Sequence, residues 1–328
     1  MWFSKKDNNT RHLESVERQL THVKSNGIQV TIDELIAYQT KSALINLAPR
    51  QQLHGKMSGN YLARSKGRGM EFDEVRHYQT GDDIRTIDWR VTARTGKTHT
   101  KLFREEVERP VLIAADFSQS MNFGSQLLFK SVQAAHLASL LAWHAKSRGD
   151  RIGGIVFNEE QHIELKPRSR QQGVLHYLHA LCEIQNQVTD ASSENHFQEN
   201  IRRLRQLAKP GALVYLITDG HHLSDDNIYD LLMISRHCEL VICLISDPLE
   251  LQLPASIQKQ SVTLSDGINQ QQMILGDKES MKQYQLLATG LHKQRLALLT
   301  KSGGRVLSIS SAQLLEDQIK SEVNAWTR

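Results

Sequence analysis

Five short apolar runs, separated by helix-length segments, constrain the fold of this 328-residue chain most strongly. The runs are VLIAAD (111–116), RIGGIVF (151–157), ALVYLIT (212–218), ELVICLIS (239–246) and RVLSIS (305–310). Strands that are apolar on both faces occur in parallel sheets covered by helices on both sides. The alternation therefore predicts an α/β fold with a mostly parallel sheet and helices on both of its faces.

The sequence divides into three zones. Residues 1–50 are polar at first and become helical in pattern from Thr31, which predicts an N-terminal helical segment. Residues 51–108 are rich in Gly, Arg and Asp, which predicts a small β-rich subdomain. Residues 109–328 hold the α/β pattern, except that the polar residues at 249–277, around a turn at Asp266-Gly267, indicate a hairpin-like insertion.

Composition limits the classes of partner and compartment. A net charge of +4 over this length does not by itself indicate nucleic-acid binding. No apolar run approaches the roughly 20 residues of a membrane helix, and the N-terminus lacks the apolar stretch of a secretory signal. Three cysteines without a Cys-x-x-Cys pair are typical of a reducing compartment. We therefore expect a cytoplasmic protein with no membrane span and no nucleic-acid partner.

Oxygen-bearing side chains follow two of the apolar runs. Asp116 ends the first run and is followed by Ser118 and Ser120, and Asp219 ends the run ALVYLIT. Ligands of open α/β sheets bind beyond the carboxyl ends of the strands. Carboxylates and hydroxyls are hard ligands that suit Mg²⁺, Mn²⁺ or Ca²⁺, so these four residues are candidate metal ligands. The alternative is that Asp116 and the serines only cap the helix that begins near Ser125.

The segment AADFSQSM resembles the metal-ion-dependent adhesion site (MIDAS) of von Willebrand factor A (vWA) domains. That motif combines Asp-x-Ser-x-Ser with a Thr from a second loop and an Asp from a third. The matching positions are Asp116, Ser118, Ser120 and Asp219. The Thr is not matched: the segment LKPRSRQQG, where it is expected, has Arg168 and Arg170, and Thr189 lies farther along the chain. The resemblance implies a Rossmann-like vWA domain with a metal site in which one ligand is absent or replaced.

A second resemblance lies in GRGMEFDEVRHYQTGDDIRTIDWRVTARTGKTHTKLF (67–103). This segment is similar to the signature of the bacterial domain of unknown function 58 (DUF-58) family, in which such a string precedes an A-type domain. The matching residues are Gly69, Glu71, Phe72, Arg76, Tyr78, Gly81, Asp82, Asp83, Arg85, Ile87, Asp88, Trp89, Ala93, Arg94 and Thr95. The resemblance covers roughly residues 55–254.

The charges of the signature string alternate in sign. Because arginine forks match carboxylates, the string predicts an internal ion-pair network that stabilises the small subdomain. Trp89 is then expected to be its buried apolar anchor. The alternative is a docking or catalytic surface.

The sequence favours an interaction protein over an enzyme. The segment TGKT (95–98) imitates a phosphate-binding loop, but Val91 stands where its first Gly is required, so we expect a turn and no ATPase. A divalent ion held by so few charged ligands can accept a carboxylate from a partner protein. The DUF-58 resemblance implies partnership with a MoxR-type AAA+ ATPase and with other vWA proteins, in chaperone-like assembly or activation. The alternatives are a metal-dependent phosphoesterase and a nucleic-acid-binding protein that uses the Arg-rich residues 64–104.

Overall fold

The computed structural model describes residues 14–44, 70–105, 108–187, 194–253, 260–265, 270–275 and 277–321. The chain forms two compact units: residues 51–108, and residues 1–50 together with 109–328. The helices are α1 (residues 14–23), α2 (Ile32–Ala37), α3 (Trp89–Thr95), α4 (Lys130–Ser147), α5 (Arg170–Gln185), α6 (Glu194–Leu207), α7 (Asp225–Ser235), α8 (Pro248–Leu251), α9 (Lys278–Lys301) and α10 (Leu315–Ser321). The strands are β1 (Met70–His77), β2 (His99–Glu105), β3 (Pro110–Asp116), β4 (Arg151–Phe157), β5 (His162–Arg168), β6 (Leu213–Thr218), β7 (Glu239–Ser246), β8 (Gln260–Ser265), β9 (Gln270–Leu275) and β10 (Arg305–Ser310).

A six-stranded sheet forms the centre of the larger unit. Its strand order is β10-β7-β6-β3-β4-β5, and every neighbouring pair is parallel except β4 and β5. The predicted α/β class with a mostly parallel sheet is therefore confirmed. Strands β8 and β9 pair antiparallel with each other within the segment 249–277, and the predicted turn at Asp266-Gly267 lies outside the described residues.

Both faces of the sheet are buried, which explains the near-continuous apolar runs. Along β3, Val111 and Ile113 belong to the apolar cluster that includes α4 and α5. Leu112 and Ala114, which point the opposite way, belong to the cluster that includes α6 and α7. Because successive side chains of a strand face opposite sides, an apolar residue is needed at every position.

The described part of the N-terminal zone packs against α4 and α5. Helix α2 begins with a capping box formed by Thr31 and Glu34 and continues as a 3₁₀ helix over Tyr38–Leu44. The carbonyl oxygen of Leu35 accepts hydrogen bonds from Ser139 Oγ (2.7 Å) and Trp143 Nε1 (3.1 Å), both on α4. Buried polar groups of α4 are therefore satisfied by residues from the N-terminal zone.

Strand β5 is an element that the sequence analysis did not identify. Its segment HIELKPR is only half-buried and contains a proline, as edge strands do, so it lacks the apolar run of the other strands. It runs antiparallel to β4, with Arg168 opposite Ile152. The carboxyl end of β4 pairs with the beginning of β5. Arg168, at the end of β5, therefore lies beside the amino end of β4, whereas Asp116 lies level with the carboxyl end of β4.

The smaller unit contains an antiparallel β1–β2 pair with helix α3 between the two strands in sequence. The Asp88 carboxylate caps α3 by accepting hydrogen bonds from the backbone N–H groups of Arg90 and Val91. Gly96 ends the helix in the left-handed conformation, with φ of 69°. The segment TGKT is thus the end of a helix and the turn into β2, as the sequence predicted.

The prediction that Trp89 is a buried anchor is wrong. Its side chain is 67% exposed. Trp89 is the first residue of α3, a helix of only seven residues, none of which is buried. The part of α3 that faces the hairpin carries Val91 and Thr92, which are half-buried.

We expect Trp89→Ala to change the free energy of unfolding by no more than about 0.5 kcal/mol, since an exposed side chain contributes little packing. Urea denaturation followed by circular dichroism measures this directly. A loss of several kcal/mol would contradict the exposed position of Trp89.

None of the helices in the described residues is both long and apolar enough to cross a membrane.

Candidate metal-binding site

The four side chains predicted as metal ligands lie together beyond the carboxyl ends of β3 and β6. These strands are adjacent and parallel, so Asp116 and Asp219 leave the sheet side by side. The Ser118 side chain lies close enough to the Asp116 carboxylate, and the Ser120 side chain to the Asp219 carboxylate, to act on the pKa of each acid by lowering it. The two hydroxyl oxygens are 3.4 Å apart. The four side chains therefore form one continuous polar chain.

Asp116 is fully buried and has no basic partner among the described residues. Its Oδ1 accepts a hydrogen bond from the Ser118 backbone N–H (2.9 Å), and its Oδ2 accepts one from Thr218 Oγ1 (2.7 Å). Burial and the neighbouring Asp219 carboxylate together raise the pKa of Asp116 to about 6, against these hydrogen bonds. The site therefore contains a carboxylate whose charge is not neutralised by any side chain in the described part of the chain.

Asp219 is equally buried, but it has a cation beside it. Lys130 Nζ, itself only 1% exposed as a residue, lies 2.8 Å from Asp219 Oδ2 and also forms an ion pair with Glu250. Burial acts to raise the pKa of Asp219, but the Lys130 ammonium and the backbone N–H of His221 outweigh it and lower the pKa to about 2. Asp219 is thus a stably ionised carboxylate.

Asp116 and the serines do not cap α4, although Asp116 accepts the backbone N–H of Ser118 in the turn that precedes a short 3₁₀ helix (Gln119–Met121). Helix α4 begins at Lys130, and its N-cap residue, Phe129, makes no side-chain capping hydrogen bond. Ser125, where the helix was expected to begin, donates its backbone N–H and its hydroxyl to the Asp247 carboxylate after β7. The loop after β3 is therefore held by β7 and leaves Asp116 and its two serines facing Asp219.

Residues 74–290 match a protein-family model described as a protein of unknown function, DUF58. The chain belongs to the DUF58 family. Two curated relatives are the uncharacterized proteins Rv1480 from Mycobacterium tuberculosis H37Rv and Mb1516 from Mycobacterium bovis. Each is 31% identical over 128 residues, which is 39% of this DUF58 protein and 40% of the relative. The aligned region thus spans about two-fifths of the length of these relatives.

Several solved structures are similar to the DUF58 protein at low identity. BatB from Bacteroides thetaiotaomicron is 14% identical with a TM-score of 0.39, over 66% of this chain and 98% of BatB. A von Willebrand factor type A protein from Catenulispora acidiphila is 13% identical with a TM-score of 0.38, over 70% of this chain and 45% of that protein. Since both scores are below 0.5, the fold class of the DUF58 protein rests on its own sheet order.

Three residues of the site were not identified from the sequence: Thr218, Lys130 and Glu250. Thr218 directly precedes Asp219, so its position at the end of an apolar strand could have identified it as a residue of the site. Lys130 begins a helix that is buried on nearly every side, and a lysine at the buried start of such a helix is a second signal. Glu250 lies on the short helix α8, and nothing in the local sequence distinguishes it from a solvated acid.

The expected place of the MIDAS Thr is corrected by the structure. Arg168 and Arg170 lie at the end of β5 and the start of α5, at the edge of the sheet opposite to Asp116. Thr189 lies outside the described residues.

The residues of the site fit a hard divalent cation. The described residues contain no group of three or more His, Cys, Asp or Glu side chains that could hold a metal, so hydroxyl oxygens would have to complete the ligand set. Two hydroxyls lie between two carboxylates, and Asp116 lacks a counter-charge. Oxygen ligands with unneutralised negative charge are what Mg²⁺, Mn²⁺ and Ca²⁺ bind.

The raised pKa of Asp116 predicts a pH-dependent cost to stability in EDTA. Between its ordinary value of 3.8 and about 6, the folded state binds the proton more tightly than the unfolded state does. The wild type therefore loses stability as the pH rises through that window. Asp116→Asn removes this loss and is expected to be more stable by about 1–3 kcal/mol at pH 7.5, with the difference disappearing towards pH 4.

Urea denaturation at pH 4.5 and pH 7.5 tests this expectation. Asp225→Asn, which changes an exposed carboxylate in the first turn of α7, is the matched control and should shift stability by no more than about 0.5 kcal/mol. A less stable Asp116→Asn at pH 7.5 would show that Asp116 is not an uncompensated charge.

Proposed function

We propose that this DUF58 protein is a non-enzymatic adaptor that binds a partner protein through a metal-ion-dependent adhesion site. Asp116, Ser118, Ser120 and Asp219 would hold Mg²⁺, or Mn²⁺ or Ca²⁺ in its place. The observation that supports this most strongly is Asp116: a fully buried carboxylate with no basic partner, beside two hydroxyls and a second carboxylate. A divalent ion bound there supplies a strong, reversible attraction for a carboxylate of the partner.

The charges of the site leave room for a partner's carboxylate. Lys130 already neutralises part of the charge of Asp219, and the serine hydroxyls are uncharged. A divalent cation would thus meet little more than the full charge of Asp116 and would stay under-neutralised. An added Glu or Asp from outside supplies the missing negative charge, so the ligand set favours binding a carboxylate over a closed structural metal site.

The site is open to such a partner on one side. Asp116, Ser118 and Asp219 are each at most 4% exposed, so the protein holds them in a fixed position. Ser120 is half-buried and His221, two residues after Asp219, is exposed. The polar chain therefore reaches the surface at Ser120, where a carboxylate of another protein can approach it.

The proposed partner is a MoxR-type AAA+ ATPase, with other vWA proteins as further components. Its support is the DUF-58 resemblance of the sequence, which implies a role in chaperone-like assembly or activation of other proteins. Such a role agrees with an adaptor that attaches reversibly and carries out no reaction itself.

We expect the DUF58 protein to bind the MoxR-type ATPase of its own organism in Mg²⁺ and to release it in EDTA. Asp116→Ala and Ser120→Ala should each weaken this binding at least tenfold, because each removes an oxygen of the site. Biolayer interferometry with the immobilised ATPase gives the affinities. Asp225→Ala, which changes an exposed acid, is the control that should bind as the wild type does. Binding that persists in EDTA and in Asp116→Ala would contradict the adhesion mechanism.

Lys130 is a specific observation in favour of the phosphoesterase alternative, since a buried lysine beside strand-end acids can hold a phosphate. The contacts of Lys130 oppose it. The Lys130 ammonium is already engaged by Asp219 and Glu250, so it is not free to hold a phosphate. We therefore expect no Asp116-dependent hydrolysis of a chromogenic phosphate ester in Mg²⁺ or Mn²⁺. Hydrolysis that Asp116→Ala abolishes would replace the adaptor by an enzyme.

A further inference from the structure

Two acidic side chains of the smaller unit, those of Asp82 and Asp88, are engaged within the unit. The Asp82 carboxylate accepts hydrogen bonds from Arg76 Nη2 (2.7 Å) and from the backbone N–H of Gln79 (2.9 Å). The Asp88 carboxylate caps α3 and lies 3.6 Å from Lys101 Nζ. The predicted ion-pair network therefore exists only in part, and it employs Arg76 and Lys101.

The other arginines of the signature string have no such partner. Arg85, Arg90 and Arg94 are exposed, and no described residue forms an ion pair with them. Two exposed apolar residues occur in the same stretch of the sequence, Ile84 (66%) and Trp89 (67%). We call these five residues the Trp89 surface. Among the described residues of this unit, these exposed side chains have no charged or apolar partner that would explain them.

The Trp89 surface is held on a fixed backbone. The backbone N–H of Asp88 donates to the carbonyl of His99 (2.9 Å), and Ile87 forms a β-bridge with Thr100. The residues that lead into α3 are therefore hydrogen-bonded to the beginning of strand β2, and the helix runs from its Asp88 cap to Gly96. Within α3, Arg90 and Arg94 are one turn apart on the exposed face. A surface that is ordered before binding loses little conformational entropy on binding.

We propose that the Trp89 surface docks an acidic segment of a partner protein. Trp and Arg are the residue types that contribute most to protein–protein binding, and the guanidinium forks of Arg90 and Arg94 match carboxylates bidentately. The indole of Trp89 and the side chain of Ile84 then cover an apolar residue of the segment. This docking needs no metal and is independent of the adhesion site.

The chemistry of the Trp89 surface favours a protein over a nucleic acid. Single-stranded nucleic acids bind on successive aromatic side chains along a basic groove. The Trp89 surface offers one aromatic ring, and its second apolar residue, Ile84, is branched and cannot stack on a base.

The proposal is tested with the full-length protein in EDTA and a panel of fluorescein-labelled 12-residue peptides. The peptides carry six Glu residues, with either Leu and Phe or only Ser and Gly at the other positions. We expect saturable anisotropy changes with the apolar-containing peptides, weakened at least tenfold by Trp89→Ala and by Arg90→Glu/Arg94→Glu. The charge-reversed variant Arg90→Glu/Arg94→Glu should instead bind peptides of the same design in which Lys replaces each Glu. Leu286→Ala, which removes an equally exposed apolar residue of α9 (65%), is the control and should bind as the wild type does.

Two outcomes would overturn the proposal. The first is the absence of saturable binding to any acidic peptide, or binding that Trp89→Ala leaves unchanged while the variant melts as the wild type does. The second is Trp89-dependent binding of a single-stranded oligonucleotide that is tighter than that of every acidic peptide. Because EDTA is present throughout, failure of the adhesion site would not alter either result.

Discussion

Replacing Lys130 by Met is expected to lower the free energy of unfolding by about 3–5 kcal/mol in EDTA. The ammonium of Lys130 is buried and lies 2.8 Å from Asp219, which is only 2% exposed. The variant leaves that carboxylate buried without a cation, which is far more costly than losing both members of the pair. Urea denaturation at pH 7.5 measures the loss. We expect added Mg²⁺ to restore part of it, because a metal in the site supplies positive charge to Asp219.

The double variant Lys130→Met/Asp219→Asn separates loss of charge from loss of packing. Without the uncompensated carboxylate, it should be more stable than Lys130→Met alone, although it carries one more substitution. If Lys130→Met lost less than about 1 kcal/mol, or if the double variant were the less stable of the two, Lys130 would not be the counter-ion of Asp219.

Gly154→Ala is expected to prevent folding or to destabilise the larger unit by more than about 4 kcal/mol. Gly154 lies in β4 with φ of 149°, and a Cβ there would come 1.9 Å from the carbonyl oxygen of Ile113 in the neighbouring strand β3. The clash is with backbone, so no side chain can move to relieve it. It also distorts the strand that ends at Asp116.

Gly290→Ala is the matched control for Gly154→Ala. Gly290 lies within α9, where a Cβ meets nothing within 4 Å, and Ala is the better helix former by up to about 1 kcal/mol. We expect this variant to be as stable as the wild type or more stable. Soluble expression and melting temperature distinguish the two variants, and a Gly154→Ala protein with wild-type stability would contradict the β3–β4 packing.

The strands of the sheet could be predicted from the sequence wherever both of their faces are buried. Four of the five apolar runs correspond to the inner strands β3, β4, β6 and β7, where burial on two sides requires an apolar residue at each position. The fifth is the edge strand β10, in which Ser308 is exposed but Leu307 and Ile309 are buried. Strand β5 was missed since it is an edge strand with half-exposed, alternating residues. Its reversed direction then misplaced the loop in which a further hydroxyl ligand was expected.

The meeting of Asp116 with Asp219 was predictable, because the carboxyl ends of parallel strands share one edge. The contacts of Lys130 with Asp219 and Glu250 were not, since they join residues 89 and 120 positions apart through the packing of α4 and α8. The exposure of Trp89 was missed for another reason. Its large apolar side chain suggested a core residue, whereas Trp89 is the first residue of α3 and is exposed.

The measurement that tests the adhesion site most directly is a calorimetric titration of Mg²⁺ and of Mn²⁺ into the wild type and into Asp116→Ala at pH 7.5. The account predicts saturable binding at one site in the wild type, its loss in Asp116→Ala and its retention in Asp225→Ala. Absence of saturable binding in the wild type, or equal affinity in Asp116→Ala, would contradict the assignment of Asp116, Ser118, Ser120 and Asp219 as a metal site.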